Sequence, residues 1–225
     1  AQTAPDLTRT RYRMIKTALW MSQPNFSFLE IARSCGIKNI VLELEHGTFD
    51  LSSLDQFLGL TKAFGMPTIA KVIAPTIEAV QQALDFGADG VVIPHIGGIE
   101  HAREITKAAK YPLTGARSFA TGRQFSYARP TTKALEDENT RTKCYAMIET
   151  LESLADVEKI AALDTVDGLF PGPSDLALVS GRGSYSFTDA DRTDLIRCAR
   201  AARAAGKSWI MPAWTAAERA FALQE

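Results

Sequence analysis

Three short apolar stretches of this sequence run straight into groups that can do chemistry. Ala146-Met147-Ile148 ends at Glu149, Gly168-Leu169-Phe170-Pro171 leads to Gly172-Pro173-Ser174-Asp175, and Leu44-Glu45 leads to His46 and Gly47. An apolar run of strand length buries itself, so the charged group at its exit is held at the rim of a core. Glu149 and Asp175 are then candidate metal ligands. Oxygen-only ligation suits a hard divalent cation such as magnesium, manganese or cobalt, with waters completing an octahedron. Two carboxylates leave positions open, where an oxo acid can chelate through its carboxylate and keto oxygens. The structural alternative is that Asp175 caps a helix and Glu149 is a solvated charge.

His46 is the candidate general base, since imidazole titrates near neutral pH; a loop histidine with a structural hydrogen bond is the alternative. Glu43 and Glu45 bracket it and share a strand face if the strand persists, because only residues two apart point the same way. One of the two carboxylates is expected in the interior, the other paired elsewhere. His95, after Pro94, is a weaker candidate, and His101 reads as a surface residue. Lys71 lies inside the apolar run Thr68 to Ile73, where a buried ammonium needs an anion. It either holds a substrate oxygen, forms a Schiff base, or snorkels to the rim. Asp85 sits at a helix C-terminus, an unfavourable place for a carboxylate, and so calls for a specific partner. Gly172 to Leu176 reads as a turn whose N–H groups open a helix and bind an anion such as carboxylate. Arg117 and Arg123, on a long irregular stretch, either close over an acidic substrate or serve a surface or interface.

Strand-like and helix-like segments alternate to position these groups. Strands are expected at 16–21, 37–45, 67–73, 90–94, 143–149, 166–171 and 207–212. Helices are expected at 26–34, 51–64 (capped by Asp50 or Ser52), 76–86, 99–109, 153–161, 189–205 and 215–224. The stretch 111–141 reads as irregular, a lid or a subunit contact. Alternation of this kind argues for a parallel α/β fold, a (β/α)8 barrel with loops after its strands carrying the chemistry. Only seven strands are counted, so either the chain is trimmed or the barrel is incomplete. Neither GxGxxG after an early strand nor GxxxxGK[ST] occurs, which argues against Rossmann and P-loop readings.

Bulk properties exclude other classes. A chain of 225 residues is expected to form one domain, 1–225. A formal charge of -1 gives no reason to expect nucleic acid or an anionic membrane as partner. No apolar run approaches the roughly 20 residues that span a bilayer. Cys35, Cys144 and Cys198 lack CxxC spacing and read as reduced thiols of a cytoplasmic protein. The polar start Ala1 to Pro5 lacks a signal-peptide core, with a leader already removed as the alternative.

Taken together, Ala18-Leu19-Trp20, Glu45-His46-Gly47, Leu84-Asp85-Phe86-Gly87-Ala88, Gly115-Ala116-Arg117, Met147-Ile148-Glu149-Thr150 and Gly172-Pro173-Ser174-Asp175-Leu176 resemble the HpcH/HpaI aldolase family. These are metal-dependent pyruvate aldolases of the phosphoenolpyruvate/pyruvate barrel superfamily, and the resemblance runs from about Thr17 to the end. It implies a (β/α)8 barrel and a homo-oligomer, trimer or hexamer. It implies cleavage of a 4-hydroxy-2-oxo acid into pyruvate and an aldehyde, or the reverse. Glu149 and Asp175 match the metal ligands, and His46 matches the acid/base. Asp85 matches an aspartate supporting that proton relay from this or a neighbouring subunit. The backbone at Ser174 and Asp175 matches the carboxylate site, and Trp20 a pocket aromatic. Lys71 stands where the family usually has arginine, Glu43 where it has aspartate, and Ser118 where it has glycine. The family also continues past Thr215 to a glycine-led final strand and helix. These departures keep open another carbon–carbon lyase or decarboxylase acting on a different diacid or an acyl-CoA, or a non-catalytic 2-oxo acid binder.

Overall fold

The computed structural model describes residues 17–225, so the start of the first expected strand, at Lys16, lies outside the described residues. Seven strands pair in chain order into one all-parallel sheet: β1 (Ala18–Met21), β2 (Asn39–Glu43), β3 (Thr68–Lys71), β4 (Gly90–Ile93), β5 (Lys143–Ile148), β6 (Gly168–Pro171) and β7 (Ser208–Trp209). Between them run α1 (Phe26–Ser34), α2 (Leu51–Ala63), α3 (Ile77–Asp85), α4 (Ile99–Ile105), α5 (Thr132–Arg141), α6 (Leu151–Ala155), α7 (Val157–Ala161), α8 (Pro173–Val179), α9 (Asp189–Ala204) and α10 (Ala216–Gln224). No helix of the described residues is long and apolar enough to cross a membrane.

The sheet is curled. Trp20 on β1 and Phe170 on β6 are five strands apart in pairing order, yet their ring centroids lie 5.9 Å apart. In a flat sheet, strands spaced roughly 4.8 Å would hold them about 24 Å apart. The eight-stranded closure expected from sequence is not reached: among the described residues no ladder joins β7 to β1.

Strand alternation sorts the side chains into two layers. Ile40, Leu42, Ala70, Val91, Ile93, Ala146, Ile148 and Leu169 pack outward against Leu29, Phe57, Leu58, Val80, Leu84, Ile160 and Cys198 of the helices. Val92, Met147 and Phe170 form a second cluster with Ile69, Tyr145 and Ile210 on the concave side. Glu43 and Lys71 are register partners, and Lys71 is in turn the partner of Val92.

Local chemistry explains the boundaries. Asp50, not Ser52, caps α2, accepting from Ser53 N at 2.7 Å, and Gly65 ends it with a φ of +65°. Four expectations need correction. The irregular stretch 111–141 contains α5, capped by Thr131, whose only buried residue is Glu138; so polar a helix shows no apolar period. Glu138 is held by Thr142 Oγ1 at 2.9 Å and Arg141 Nε at 2.8 Å. The helix expected at 153–161 is two short ones, α6 and α7, meeting at Asp156, which accepts from Ile99 N and Lys159 instead of continuing the turn. The strand β2 stops at Glu43, because the Glu43 carboxylate accepts the N–H groups of Glu45 at 2.9 Å and His46 at 3.2 Å. The final strand shrinks to Ser208–Trp209.

Candidate active site

Most of the candidate groups collect at the C-terminal rim of the sheet, where β2, β3, β4 and β5 end. Lys71 closes β3 and is 3% exposed. Its Nζ lies 3.2 Å from both carboxylate oxygens of Glu43 and also bonds Glu45 Oε2. Both acids therefore meet one lysine, instead of one pairing elsewhere as expected. The Glu45 carboxylate continues the row: its Oε1 bonds His95 Nε2, and His46 Nε2 stands 3.6 Å from its Oε2. His95 in turn touches Glu149, donating its backbone N–H to Oε1 at 2.6 Å with the ring Nδ1 3.4 Å away. Charges alternate from Glu43 through Lys71, Glu45 and His95 to Glu149.

Electrostatics follow from these contacts. Burial pushes Glu45 upward, but hydrogen bonds from Lys71 and His95 outweigh it and hold its pKa below the ordinary value. Burial alone would lower His95, yet the flanking Glu45 and Glu149 raise it. Glu149 is raised, first by burial and further by the negative charge of nearby Asp175, despite its contacts to His95. Glu149 and Asp175 thus form a like-charged carboxylate pair, one member 2% exposed and the other half-buried at the start of α8. His95 stands beside one member of the pair, and carboxylate oxygens are the ligand type that a hard divalent cation takes. Among the described residues no group of three or more His, Cys, Asp or Glu is placed to hold a metal ion.

Gly172 lets Glu149 stand where it does. A Cβ at Gly172 would fall 2.7 Å from Glu149 Cβ and 2.8 Å from its Oε2. Gly172 and Pro173 are buried, while Ser174 is exposed in the first turn of the seven-residue α8, whose N-cap Gly172 offers no side-chain bond. Trp20, 41% exposed, leans on Phe170 over the concave side. His46 has 73% of its side chain exposed.

Asp85 and Arg117 lie elsewhere. Arg117 Nη2 donates to Asp85 Oδ1 at 2.8 Å, with the guanidinium 4.7 Å above the Tyr111 ring. The carboxylate at the end of α3 has the specific partner that its position demanded. Arg117 Nε and Nη1 find no partner among the described residues. Arg123 bonds Asp55 Oδ1 at 2.9 Å and the Phe86 carbonyl, pinning the 111–131 stretch to α2 and α3. Asp85 ends the helix leading into Gly90, which is level with Lys143 at the start of β5, whereas Glu149 follows Ile148 at its end. At roughly 3.3 Å per residue the two levels are about 20 Å apart. Within one chain, Asp85, Arg117 and Arg123 occupy the opposite end of the sheet from Glu149.

Sequence reasoning undervalued His95. By strand parity it belongs with Ile93 on the helix side. Its left-handed φ of +51° swings it back to the rim, and nothing in the residue types announces that turn.

A parallel, curled α/β sheet with an acidic cluster at its C-terminal rim is the arrangement of a barrel-type scaffold. The chain belongs to the HpcH/HpaI aldolase/citrate lyase family, whose model matches residues 16–222. It is similar to a 2-dehydro-3,6-dideoxy-6-sulfogluconate aldolase of Pseudomonas putida, 32% identical over 72% of this chain and 64% of that protein. It is also similar to a hydroxypyruvate/pyruvate aldolase of Pseudomonas aeruginosa, 30% identical over 77% of this chain and 65% of that one. The chain thus spans just under two thirds of the length of these relatives. Among solved structures, an HpcH/HpaI aldolase/citrate lyase family protein from Burkholderia cenocepacia superposes with a TM-score of 0.81 at 26% identity, covering 91% of this chain and 82% of that one.

Proposed function

We propose that this protein is a divalent-metal-dependent aldolase that cleaves a 4-hydroxy-2-oxo acid into pyruvate and an aldehyde, or condenses the two. The observation that carries the reading is the Glu149–Asp175 pair, two neighbouring carboxylates at successive strand exits with Glu149 pushed upward by burial and by its neighbour. The aldolase names of the relatives support the substrate class. The seven strands are read as part of a single (β/α)8 barrel domain.

Glu149 and Asp175 would hold magnesium, manganese or cobalt, which supplies Lewis-acid polarisation of the 2-oxo group when bound. The chain's own residues do the rest. Backbone N–H groups at Ser174 and Asp175, with Gly172 and Pro173 shaping the turn, hold the substrate carboxylate. Lys71, pinned between Glu43 and Glu45, keeps an ammonium beside the oxygen that gains charge as the enolate forms. His46 takes the proton of the 4-hydroxyl while Glu45, 3.6 Å from its Nε2, stabilises the imidazolium. The bond between carbons 3 and 4 then breaks, its electron pair passing to the pyruvate enolate. Trp20 lines the aldehyde side.

Asp85 and Arg117 cannot serve Glu149 of their own chain across the depth of the sheet. The relay part of Asp85 and the substrate contact of Arg117 require a second copy whose rim meets this chain's opposite end, hence a homo-oligomer, trimer or hexamer. The exposed, unbridged Cys35 and the buried Cys144 and Cys198 fit a cytoplasmic setting.

The test is an aldol assay with pyruvate and varied aldehydes, with and without added metal. Activity should depend on the cation and vanish in EDTA. Glu149→Gln and Asp175→Asn should abolish it with melting temperatures little changed. Full activity in EDTA, or a borohydride-trapped pyruvate adduct on Lys71, would establish the imine mechanism instead. A lysine salt-bridged to two carboxylates offers no free lone pair for it.

A further inference from the structure

We infer that His95 is a positioning residue that ties two halves of the site together, its backbone fixing Glu149 and its imidazole fixing Glu45 and, through it, Lys71. The geometry assigns the two tasks to different atoms. The backbone N–H donates to Glu149 Oε1 at 2.6 Å, and the ring Nε2 bonds Glu45 Oε1, whose other oxygen bonds Lys71 Nζ. A left-handed φ of +51° at a residue other than glycine is costly, and it is what lets both contacts form at once. In the extended conformation of β4, His95 would follow Ile93 to the helix side and reach neither carboxylate. Because Glu45 also stands beside His46, the imidazole of His95 sets the relative placement of the acid/base and the ammonium.

The division of labour makes the inference separable from general damage. His95→Gly suits a positive φ and keeps the N–H that holds Glu149, so it should fold and should bind manganese alone, read by calorimetry, within about 3-fold of the parent. It removes the ring, so Glu45 and Lys71 lose a fixed wall. Acetylation of Lys71 by an N-hydroxysuccinimide ester, read by mass spectrometry, should then speed up at least about 5-fold as the lysine gains freedom. His95→Gln, whose amide nitrogen sits as many bonds from Cα as the imidazole Nε2, should restore the slow labelling.

The functional arm rests on the aldolase reading. There kcat should fall about 10- to 100-fold in His95→Gly with pyruvate KM nearly constant, and recover in His95→Gln. Labelling of Lys71 at the parental rate in folded His95→Gly would overturn the inference. Altered labelling in a protein that shows no aldol turnover would uphold it and overturn the aldolase reading instead.

Discussion

Lys71 carries its ammonium almost wholly buried between two acids, so removing its charge has a calculable effect. Lys71→Met would leave Glu43 and Glu45 facing each other without a cation. Breaking a buried pair from one side costs about 3–5 kcal/mol, which urea unfolding should register. Lys71→Arg keeps the charge and adds a fork that reaches two carboxylates, so stability should stay near the parent and aldol activity should be kept or raised. An imine enzyme would be inactive with arginine at this position. For His46, mostly in solvent, the expectation is different: His46→Ala should lower turnover far more than it weakens binding of pyruvate or oxalate. Equal losses would make it structural.

At the scale of elements, the turn from β6 into α8 is set by what it must leave room for. Gly172→Ala places a methyl against Glu149 and Met147 Cε, and overpacking of this kind costs about 1–3 kcal/mol. The larger effect should be on manganese affinity, which calorimetry would show falling as Glu149 moves. A second element depends on one acid. Glu218 is 2% exposed and accepts from Thr215 N at 2.7 Å, Trp214 N at 3.0 Å and Tyr185 Oη at 2.9 Å, capping α10. Burial pushes its pKa up, but the bonds from Thr215 outweigh that and set it below 4.5. A depressed carboxylate stabilises the fold above its unfolded pKa and loses that contribution as pH falls through the folded value. Glu218→Gln should therefore lie about 1–3 kcal/mol below the parent at neutral pH, and the gap should close in urea titrations as pH falls through the folded value. These elements also show how far the sequence could be read. Helix α1 and the strand exits at Glu149 and Asp175 were legible because apolar period and terminal charge coincide there. The helix α5 was hidden because its single buried side chain is an acid, and His95 because a dihedral angle, not a residue type, aims it. The shared grip of Glu43 and Glu45 on Lys71 was half legible: parity put the two acids on one face, but the hydrogen bonds that end β2 at Glu43 depend on three-dimensional closure.

At the scale of the molecule, Asp85 and Glu149 lie at opposite ends of one sheet. If Asp85 serves a neighbour's site, two differently damaged chains can repair each other. Asp85→Asn and Glu149→Gln homo-oligomers should each be inactive. After mixing and subunit exchange, some interfaces would join an intact Asp85 to an intact Glu149, and activity should return toward about one quarter of the parent for random assembly. Failure to recover after exchange shown by mass spectrometry would confine Asp85 to a structural role in its own chain.

The alternating row from Glu43 to Glu149 also constrains how such a site can change over generations. Each interior member has a neighbour of opposite sign on either side, so losing Lys71 alone leaves two acids without their cation, whereas losing Lys71 and Glu45 together leaves only Glu43. The row should behave epistatically: Lys71→Met with Glu45→Gln should melt at a higher temperature than Lys71→Met alone, although each change by itself is harmful. Sequences drifting through this region would then be expected to exchange lysine and acid together, and to pass through few viable intermediates when they do not.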